Sequence, residues 1–512
     1  MQRIFRPYDY AATLDQTIRV GDALPDAHPA RQLAAFLDTL DLSALYALYY
    51  PIGPHPYDPQ VMLALWLYGY MTGINTSRPL RQAIIEQLPF RFLAAGSIPD
   101  HTTLVEFRTL VFTYLPTLFD DLLERAQQEQ HLTMQAASHD GTKIHAAASK
   151  HQAVSYQKAG ELIFALQEQV EDLLTRIDHD PASLPADMDP LEEIRLRQER
   201  ITRLQQARQV LEARATARYQ ETLAAYTEKM ALRDEKARLT GKKPRGKPPE
   251  PPSDEPAPTD QYNFTDPESR IMKNSTNKGF DQHYNSQLTV EHASRLIISL
   301  DVSNHPNDTQ EALPSLEHIP AALGMPDFLC LDNGYWQPTL EEQLAARGTC
   351  ALIATSKTVH GLDWPRYYAT QPTTPPPPDA SPAVQMAHKV SLPEHQAIYR
   401  ERKSTVEPVI GIIKSVMGFR QYVLRGLEKV RGEWRLVCIA YNFKRYFTLT
   451  ANARAKQAQA KAQEVPTAIF AFEMAWVSGQ TRPSSLCRFI EHMTQEIVSL
   501  WEATARRWPP GC

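Results

Sequence analysis

Three acidic residues of the 512-residue chain stand where carboxylates could bind hard cations: Asp140, Asp332 and Glu407. Asp332 follows the apolar run Phe-Leu-Cys-Leu, which is typical of a strand buried on both faces. A carboxylate is costly there unless something such as a divalent cation compensates it. Carboxylate oxygens suit Mg²⁺ or Mn²⁺, and two such ions about 4 Å apart support in-line displacement at a phosphodiester. The trio therefore indicates metal-dependent chemistry on nucleic acid.

Each of these acids also has a simpler interpretation. Asp140 precedes a glycine and Asp332 precedes an Asn-Gly pair, so both could be turn residues. Glu407 completes a Ser-Thr-Val-Glu pattern, in which it would only cap a helix. Asp301, at the end of an apolar run, competes for the role of metal ligand, and Asp266 is a weaker competitor.

The segment around Glu407 predicts a helix over residues 405–418 that Glu407 opens. Its apolar side consists of Val409, Ile412, Ile413 and Val416. Its other side carries Glu407, Gly411, Lys414 and Gly418 at three- and four-residue steps. That side would present a carboxylate, a lysine two turns on, and two glycines where a backbone could approach.

The charge of the chain is uneven. The net charge of -5, from 54 basic and 59 acidic residues, argues mildly against a nucleic-acid binder. Local fields decide binding, however, and residues 400–445 hold eleven Lys or Arg against four Glu, a local balance of +7. Arg402, Lys403 and Lys414 in this stretch would neutralise phosphates. A second basic cluster at 236–247 is typical of a solvated charge run, and Lys414 could also lie on a solvated face.

Strand-like and helix-like segments alternate around the acids. Strands are predicted at 132–140, 284–291, 296–301, 328–332 and 351–355, with helices at 309–323 and 338–347. A charged helical hairpin, with arginines at the seam positions 197 and 208, interrupts this pattern. The region 30–125 is mostly helical, with Pro59 opening one helix, Gly73 ending it, and a capping box at Thr103. It suits a helix-turn-helix-like DNA-binding domain, with plain helical packing as the alternative.

The predicted fold class is α/β, with an N-terminal all-α domain and a catalytic domain split by the hairpin. The predicted units are an N-terminal helical DNA-binding domain at 1–125, the first part of the catalytic domain at 126–150, the hairpin and basic Pro-rich linker at 151–260, the remainder of the catalytic domain at 261–450, and a C-terminal helical tail at 451–512.

Nothing in the sequence predicts a membrane or secretory destination. No stretch of about 18 or more apolar residues occurs, and the N-terminus has no apolar core like that of a signal peptide. The five cysteines are scattered and form no CxxC pair, so a disulfide framework or a zinc knuckle is not expected. We therefore expect a cytoplasmic protein.

Several motifs, taken in order, resemble the bacterial insertion-sequence DDE transposases over roughly residues 30–450. They are Pro56-Tyr-Asp-Pro59, Pro99-Asp-His-Thr-Thr103, His139-Asp-Gly-Thr-Lys-Ile-His-Ala146, Leu331-Asp-Asn-Gly-Tyr-Trp336 and Arg402-Lys-Ser-Thr-Val-Glu-Pro-Val409. The resemblance implies an RNase H-like fold in which Asp140, Asp332 and Glu407 are the catalytic acids and the ligands of two Mg²⁺ or Mn²⁺ ions. It also implies double-stranded DNA partners, namely transposon ends and target, and a homodimer on DNA.

A related signature of tyrosine, arginine, glutamate and lysine is matched in part. Glu407 and Lys414 keep its six-residue gap, and Tyr399 and Arg402 are candidates for its first two positions. Arg402 lies one residue farther from Glu407 than the signature expects, whereas Lys403 has the expected spacing. Either can be the DNA contact, and Arg420 is a further candidate.

The resemblance implies a DNA transposase that binds terminal inverted repeats and catalyses metal-dependent strand cleavage and transfer at the nucleoid. The alternative is a catalytically inactive DNA-binding protein derived from a transposase. A third hypothesis is a helical scaffold built on the hairpin at 160–240.

Overall fold

The computed structural model describes residues 19–49, 56–185, 187–240, 248–274, 279–355, 375–377 and 380–477. Within these ranges, a group of N-terminal helices precedes a six-stranded mixed sheet with further helices around it. The chain is therefore α/β, as predicted. None of the helices in these ranges is both long and apolar enough to cross a membrane. The basic stretch 242–247 and most of the proline-rich stretch 370–382 lie outside the described residues.

Seven helices form the described part of the N-terminal region. They are α1 (Pro29–Leu37), α2 (Ser43–Tyr46), α3 (Pro59–Thr72), α4 (Ser77–Glu86), α5 (Leu88–Leu93), α6 (His101–Leu110) and α7 (Leu115–Gln128). The predicted limits of α3 are confirmed, since it begins at Pro59 and ends at Gly73, whose φ of 86° suits glycine. The predicted capping box at Thr103 is wrong. The Asp100 side chain caps α6 by accepting the amide of Thr102 at 3.2 Å, so Thr103 lies inside the helix.

The two longest strands of the sheet lie at its centre and pair with each other. Its strands are β1 (Ala136–His145), β4 (Arg270–Lys273), β5 (Phe280–Glu291), β6 (Ile297–Ser303), β7 (Phe328–Leu331) and β8 (Cys350–Ile353). Their order is β6-β5-β1-β7-β8, and β4 pairs with the start of β5. Strand β5 runs antiparallel to β1 and β6, whereas β7 is parallel to β1 and β8 is parallel to β7.

The predicted end of β1 at Asp140 is wrong, because pairing with β5 continues to His145. Asp140 and Gly141 therefore lie within a strand, and their turn interpretation is wrong as well. The predicted helix at 309–323 is much shorter, since α10 covers only Ala312–Leu316. Pro320 disfavours helical conformation in the residue before it and has no amide hydrogen to donate.

One further helix lies between β7 and β8, and several others follow β8 in sequence. They are α11 (Pro338–Ala345), α12 (Pro382–Ser391), α13 (Pro393–Arg400), α14 (Arg402–Gly411), a π-helical turn (Ile412–Val416) and α15 (Leu427–Val477). Helix α15 packs on β6 and on α3 and α7, so it joins the N-terminal helices to the sheet. It also runs without interruption across the predicted boundary at residue 450.

A helical hairpin separates the first strand of the sheet from the others in sequence. Between β2 (Ala153–Ser155) and β3 (Gln261–Asn263), which pair with each other, lie α8 (Tyr156–His179) and α9 (Pro190–Thr240). The seam residue Arg208 lies over the Tyr156 ring at 4.3 Å and next to Gly160, which leaves room for it. Stacking on an aromatic ring thus accommodates a charged residue that a regular heptad seam would exclude.

Candidate active site

The pairing of β1 with β7 brings two of the predicted catalytic acids together. Ser138 of β1 pairs with Cys330 of β7, and Asp140 and Asp332 each lie two residues beyond that pair. Because the strands are parallel, both residues reach the same end of the pair. Asp332 directly follows β7, and its Oδ1 accepts the amide of Gly334 at 2.7 Å. The turn interpretation of Asp332 is therefore confirmed, and the turn holds the carboxylate beside β1.

Helix α14 carries the third acid. It begins at Arg402 after the cap residue Glu401, so Glu407 lies in mid-helix and the capping interpretation is wrong. The helix packs against β1 and β5. Val409 is buried, as predicted for the apolar side of the helix. Val416 is 63% exposed, so the prediction is wrong for that residue. The π-helical turn at 412–416 is wider than an α-helical turn, so it changes the direction in which the later side chains point.

The guanidinium of Arg402 lies between the first and third acids. Its Nη1 is 3.5 Å from Asp140 Oδ2, and its Nη2 is 3.8 Å from Glu407 Oε1. The Arg402 side chain is only 12% exposed, whereas Lys403 is exposed. Of the two residues that the sequence left as alternatives, Arg402 is therefore the one that faces the acids.

The pKa of Asp140 reflects its burial and the charged groups around it. Burial raises the pKa of Asp140 to about 7, Arg402 opposes that rise, and the carboxylates of Asp332 and Asp308 add to it. Near neutral pH, proton binding and a nearby cation therefore compete to compensate the same partly buried carboxyl. A cation in direct contact with such a carboxylate would stabilise its charged form most.

The other predicted DNA-contact residues lie on the segments that surround the acids. The Tyr399 hydroxyl donates to the carbonyl of Leu331, the last residue of β7, at 3.1 Å. Lys414 Nζ donates to the Lys143 carbonyl on β1 at 3.1 Å, and its pKa is lowered by burial and by Arg420. Arg420 itself is exposed. The predicted DNA-contact residues thus extend from Tyr399 at the end of β7 to Lys414 along β1.

The competing acids have other partners. Asp301 Oδ1 lies 3.3 Å from Arg431 Nε on α15. Both carboxylate oxygens of Asp266 accept the Tyr284 hydroxyl, at 2.9 Å each. These two acids are thereby engaged in contacts that stabilise the fold.

The two glycines of the predicted glutamate face leave open space. Apart from their own chain neighbours, no heavy atom of the described residues lies within 4 Å of a Cβ built on Gly411 or Gly418, and the approach of a backbone there stays a prediction. Gly418 instead has a φ of 69°, a conformation that favours glycine.

The oxygen ligands of the three acids suit Mg²⁺ or Mn²⁺ chemically. Across the ranges that the structure describes, however, no group of three or more His, Cys, Asp or Glu side chains forms a preassembled metal site. Asp140 and Asp332 lie side by side, while Arg402 stands between Asp140 and Glu407. The role of the trio as metal ligands remains a prediction.

Sequence reasoning missed two polar residues beside the acids. Asp308 lies in the loop after β6, and Gln287 is fully buried in β5. The Gln287 side chain donates to Asp308 Oδ1 at 3.1 Å. The only sequence signal was the weak alternation of β5, which carries polar residues at buried positions.

Two family models match the chain. One, described as a transposase domain (DUF772), covers residues 18–110, and the other, described as a transposase DDE domain, covers residues 377–447. Together the two matches support an insertion-sequence DDE transposase. The second match contains Arg402, Glu407 and Lys414, whereas Asp140 and Asp332 lie outside both matches. Neither the curated proteins nor the solved structures gave a match to this transposase.

Proposed function

We propose that this transposase binds the terminal inverted repeats of its element and catalyses metal-dependent strand cleavage and strand transfer. The observation that carries the proposal is the position of Asp140 and Asp332 at matching points of adjacent parallel strands, with Glu407 linked to Asp140 through Arg402. The strand order β6-β5-β1-β7-β8, with β7 and β8 parallel to β1, supports an RNase H-like catalytic domain. The proposal includes a homodimer that acts on double-stranded DNA at the nucleoid, in the cytoplasm.

The proposed chemistry has two displacements at phosphorus. In cleavage, a water oxygen bonds to phosphorus while the P–O3′ bond breaks, which leaves a 3′-hydroxyl at the transposon end. In strand transfer, that hydroxyl bonds to a target phosphorus while a second P–O3′ bond breaks. Asp140, Asp332 and Glu407 would hold Mg²⁺ or Mn²⁺, which when bound stabilises charge on the attacking and leaving oxygens.

The residues of this chain have distinct parts in that scheme. The carboxylates of Asp140 and Glu407 attract Arg402 in the structure. The Arg402 guanidinium would bind a DNA phosphate beside the acids, for which its planar, forked geometry is well suited. Lys414, held over β1, would contact the phosphate backbone further along.

The test uses the purified full chain, duplexes that carry the terminal repeats of its own element, and Mg²⁺ or Mn²⁺. We expect nicking by the wild type and loss of nicking by Asp332→Asn, with DNA binding retained. Asp301→Asn is the matched control, because Asp301 also follows an apolar run but pairs with Arg431. If Asp332→Asn nicked DNA like the wild type, or if only Asp301→Asn lost nicking, the assignment of Asp332 as a catalytic acid would be wrong.

A second function is favoured by one observation. The guanidinium of Arg402 occupies the space between Asp140 and Glu407, as it would in a protein that no longer binds cations there. Such a protein would be an inactive DNA-binding descendant of a transposase. It would bind the terminal repeats and cut them under no metal condition.

A further inference from the structure

A fourth carboxylate lies against the two segments that carry Asp140 and Asp332. Asp308 Oδ1 is 2.8 Å from the position that a Cβ on Gly141 would occupy. Asp308 Oδ2 is 3.8 Å from the corresponding position on Gly334, which is itself 3.0 Å from Asp332 Oδ1. Both glycines follow a predicted catalytic aspartate closely in sequence. A side chain at Gly141 would crowd Asp308, whereas one at Gly334 would be at ordinary contact distance from Asp308 and would crowd Asp332. Gly141 therefore makes the gap in which the Asp308 carboxylate lies.

Two amide groups fix the carboxylate in that gap. Asp308 Oδ1 accepts Asn285 Nδ2 at 2.7 Å and Gln287 Nε2 at 3.1 Å. The other end of the Gln287 amide, Oε1, accepts the Tyr335 hydroxyl at 2.6 Å and lies 3.0 Å from His139 Nε2. The Tyr335 bond orients the amide so that its NH₂ group faces Asp308.

Gln287 thereby connects the segments that carry the acids. His139 precedes Asp140 on β1, Tyr335 lies in the turn that Asp332 begins, and Asp308 is in the loop after β6. Gln287 is fully buried, so each of these hydrogen bonds replaces contact with water and is costly to lose.

We infer that Asp308 is a further acid of the site, which strengthens cation binding by Asp140 and Asp332 through its charge, and that Gln287 is its positioning residue. This inference rests on the proposed function. Asp308 already acts on Asp140, since its charge is among the causes that raise the pKa of that residue. Outer groups that orient and polarise metal ligands typically change metal affinity by about 10- to 100-fold.

The experiment measures Mn²⁺ binding to the full chain by calorimetry, without DNA, for the wild type and Asp308→Asn. The asparagine keeps an oxygen that can accept from Asn285 and Gln287, so the change removes mainly charge. We expect the Mn²⁺ concentration at half-saturation to rise about tenfold. Asp281→Asn is the control on β5, where Asp281 accepts Asn274 at 2.7 Å, and it should leave the concentration unchanged.

Single-turnover nicking gives the second measurement. We expect the nicking rate of Asp308→Asn to recover at high Mn²⁺, whereas that of Asp332→Asn stays lost. The inference alone is overturned if the Mn²⁺ concentration at half-saturation of Asp308→Asn equals that of the wild type. It is also overturned if Asp281→Asn raises this concentration as much as Asp308→Asn does. If the wild type binds no Mn²⁺ or Asp332→Asn nicks normally, the proposed function fails, and the inference fails with it.

Discussion

Substitution of Asp140 by asparagine should stabilise the metal-free protein above neutral pH. Burial raises the pKa of Asp140 from 3.8 to about 7, so between these values the unfolded chain releases a proton that the folded chain retains. The free energy of unfolding therefore falls as the pH rises through this window and levels off above it. At about 1.4 kcal/mol for each pKa unit, the full penalty is about 4 kcal/mol.

Asparagine at position 140 would avoid most of this penalty. It keeps an oxygen that can accept the Gly141 amide, which Asp140 Oδ1 accepts at 2.9 Å. The attraction between Asp140 and Arg402, which asparagine loses, is already included in the net rise of the pKa. We expect Asp140→Asn to be more stable than the wild type by about 2–4 kcal/mol at pH 8 and nearly equal to it at pH 4.

Urea unfolding in EDTA, followed from pH 4 to pH 8, measures this difference. Asp100→Asn is a control of opposite sign, because hydrogen bonds from Thr102 lower the pKa of Asp100. That variant should be less stable than the wild type by a nearly constant amount from pH 4 to pH 8, because the pH-dependent part of its loss falls below the ordinary pKa of an aspartate. If Asp140→Asn were less stable than the wild type at pH 8, the attraction of Arg402 would outweigh burial, and the reasoning would be refuted.

Two other substitutions test separate features of the structure. Lys414→Ala should weaken binding to all DNA sequences alike and reduce the slope of log affinity against log salt by about 1, as measured by anisotropy at several NaCl concentrations; a slope equal to that of the wild type would exclude a phosphate contact. Gly432→Ala should lower the free energy of unfolding by about 1–3 kcal/mol, because its Cβ would clash with the Phe112 ring. Gly411→Ala, which meets open space, is its control in thermal unfolding, and equal effects of the two changes would contradict the packing explanation.

Local patterns predicted the strand before Asp332 and the limits of α3. Both depend only on residues that are close in sequence. The strand is a short apolar run, and the helix lies between a proline and a glycine. The alignment of Asp140 with Asp332 is different, since it depends on pairing between strands that are nearly two hundred residues apart. The resemblance to a family suggested that these acids act together, but only the register of β1 and β7 shows how they meet.

The errors in the site have local physical causes. The pattern of α14 was extended with α-helical spacing through Val416, and the π-helical turn changed that spacing. Asp308 was missed because it lies in a polar loop, where an aspartate is ordinary. Gln287 was missed because a buried polar side chain in a strand shows its importance only through its partners.

One contact across the predicted boundary at residue 125 bears on how DNA could be held. The buried carboxylate of Glu433, on α15, accepts the Tyr70 hydroxyl of α3 at 3.1 Å and the amides of Val423 and Leu424 at 3.0 Å each. Those amides belong to the segment that leads out of the glutamate helix. Separating the N-terminal helices from the sheet would break the hydrogen bond between Tyr70 and Glu433 and expose the apolar surface between α3 and α15 to water. If the N-terminal helices bind a DNA end, as predicted from the sequence, the folded chain itself fixes the distance between that end and the carboxylates.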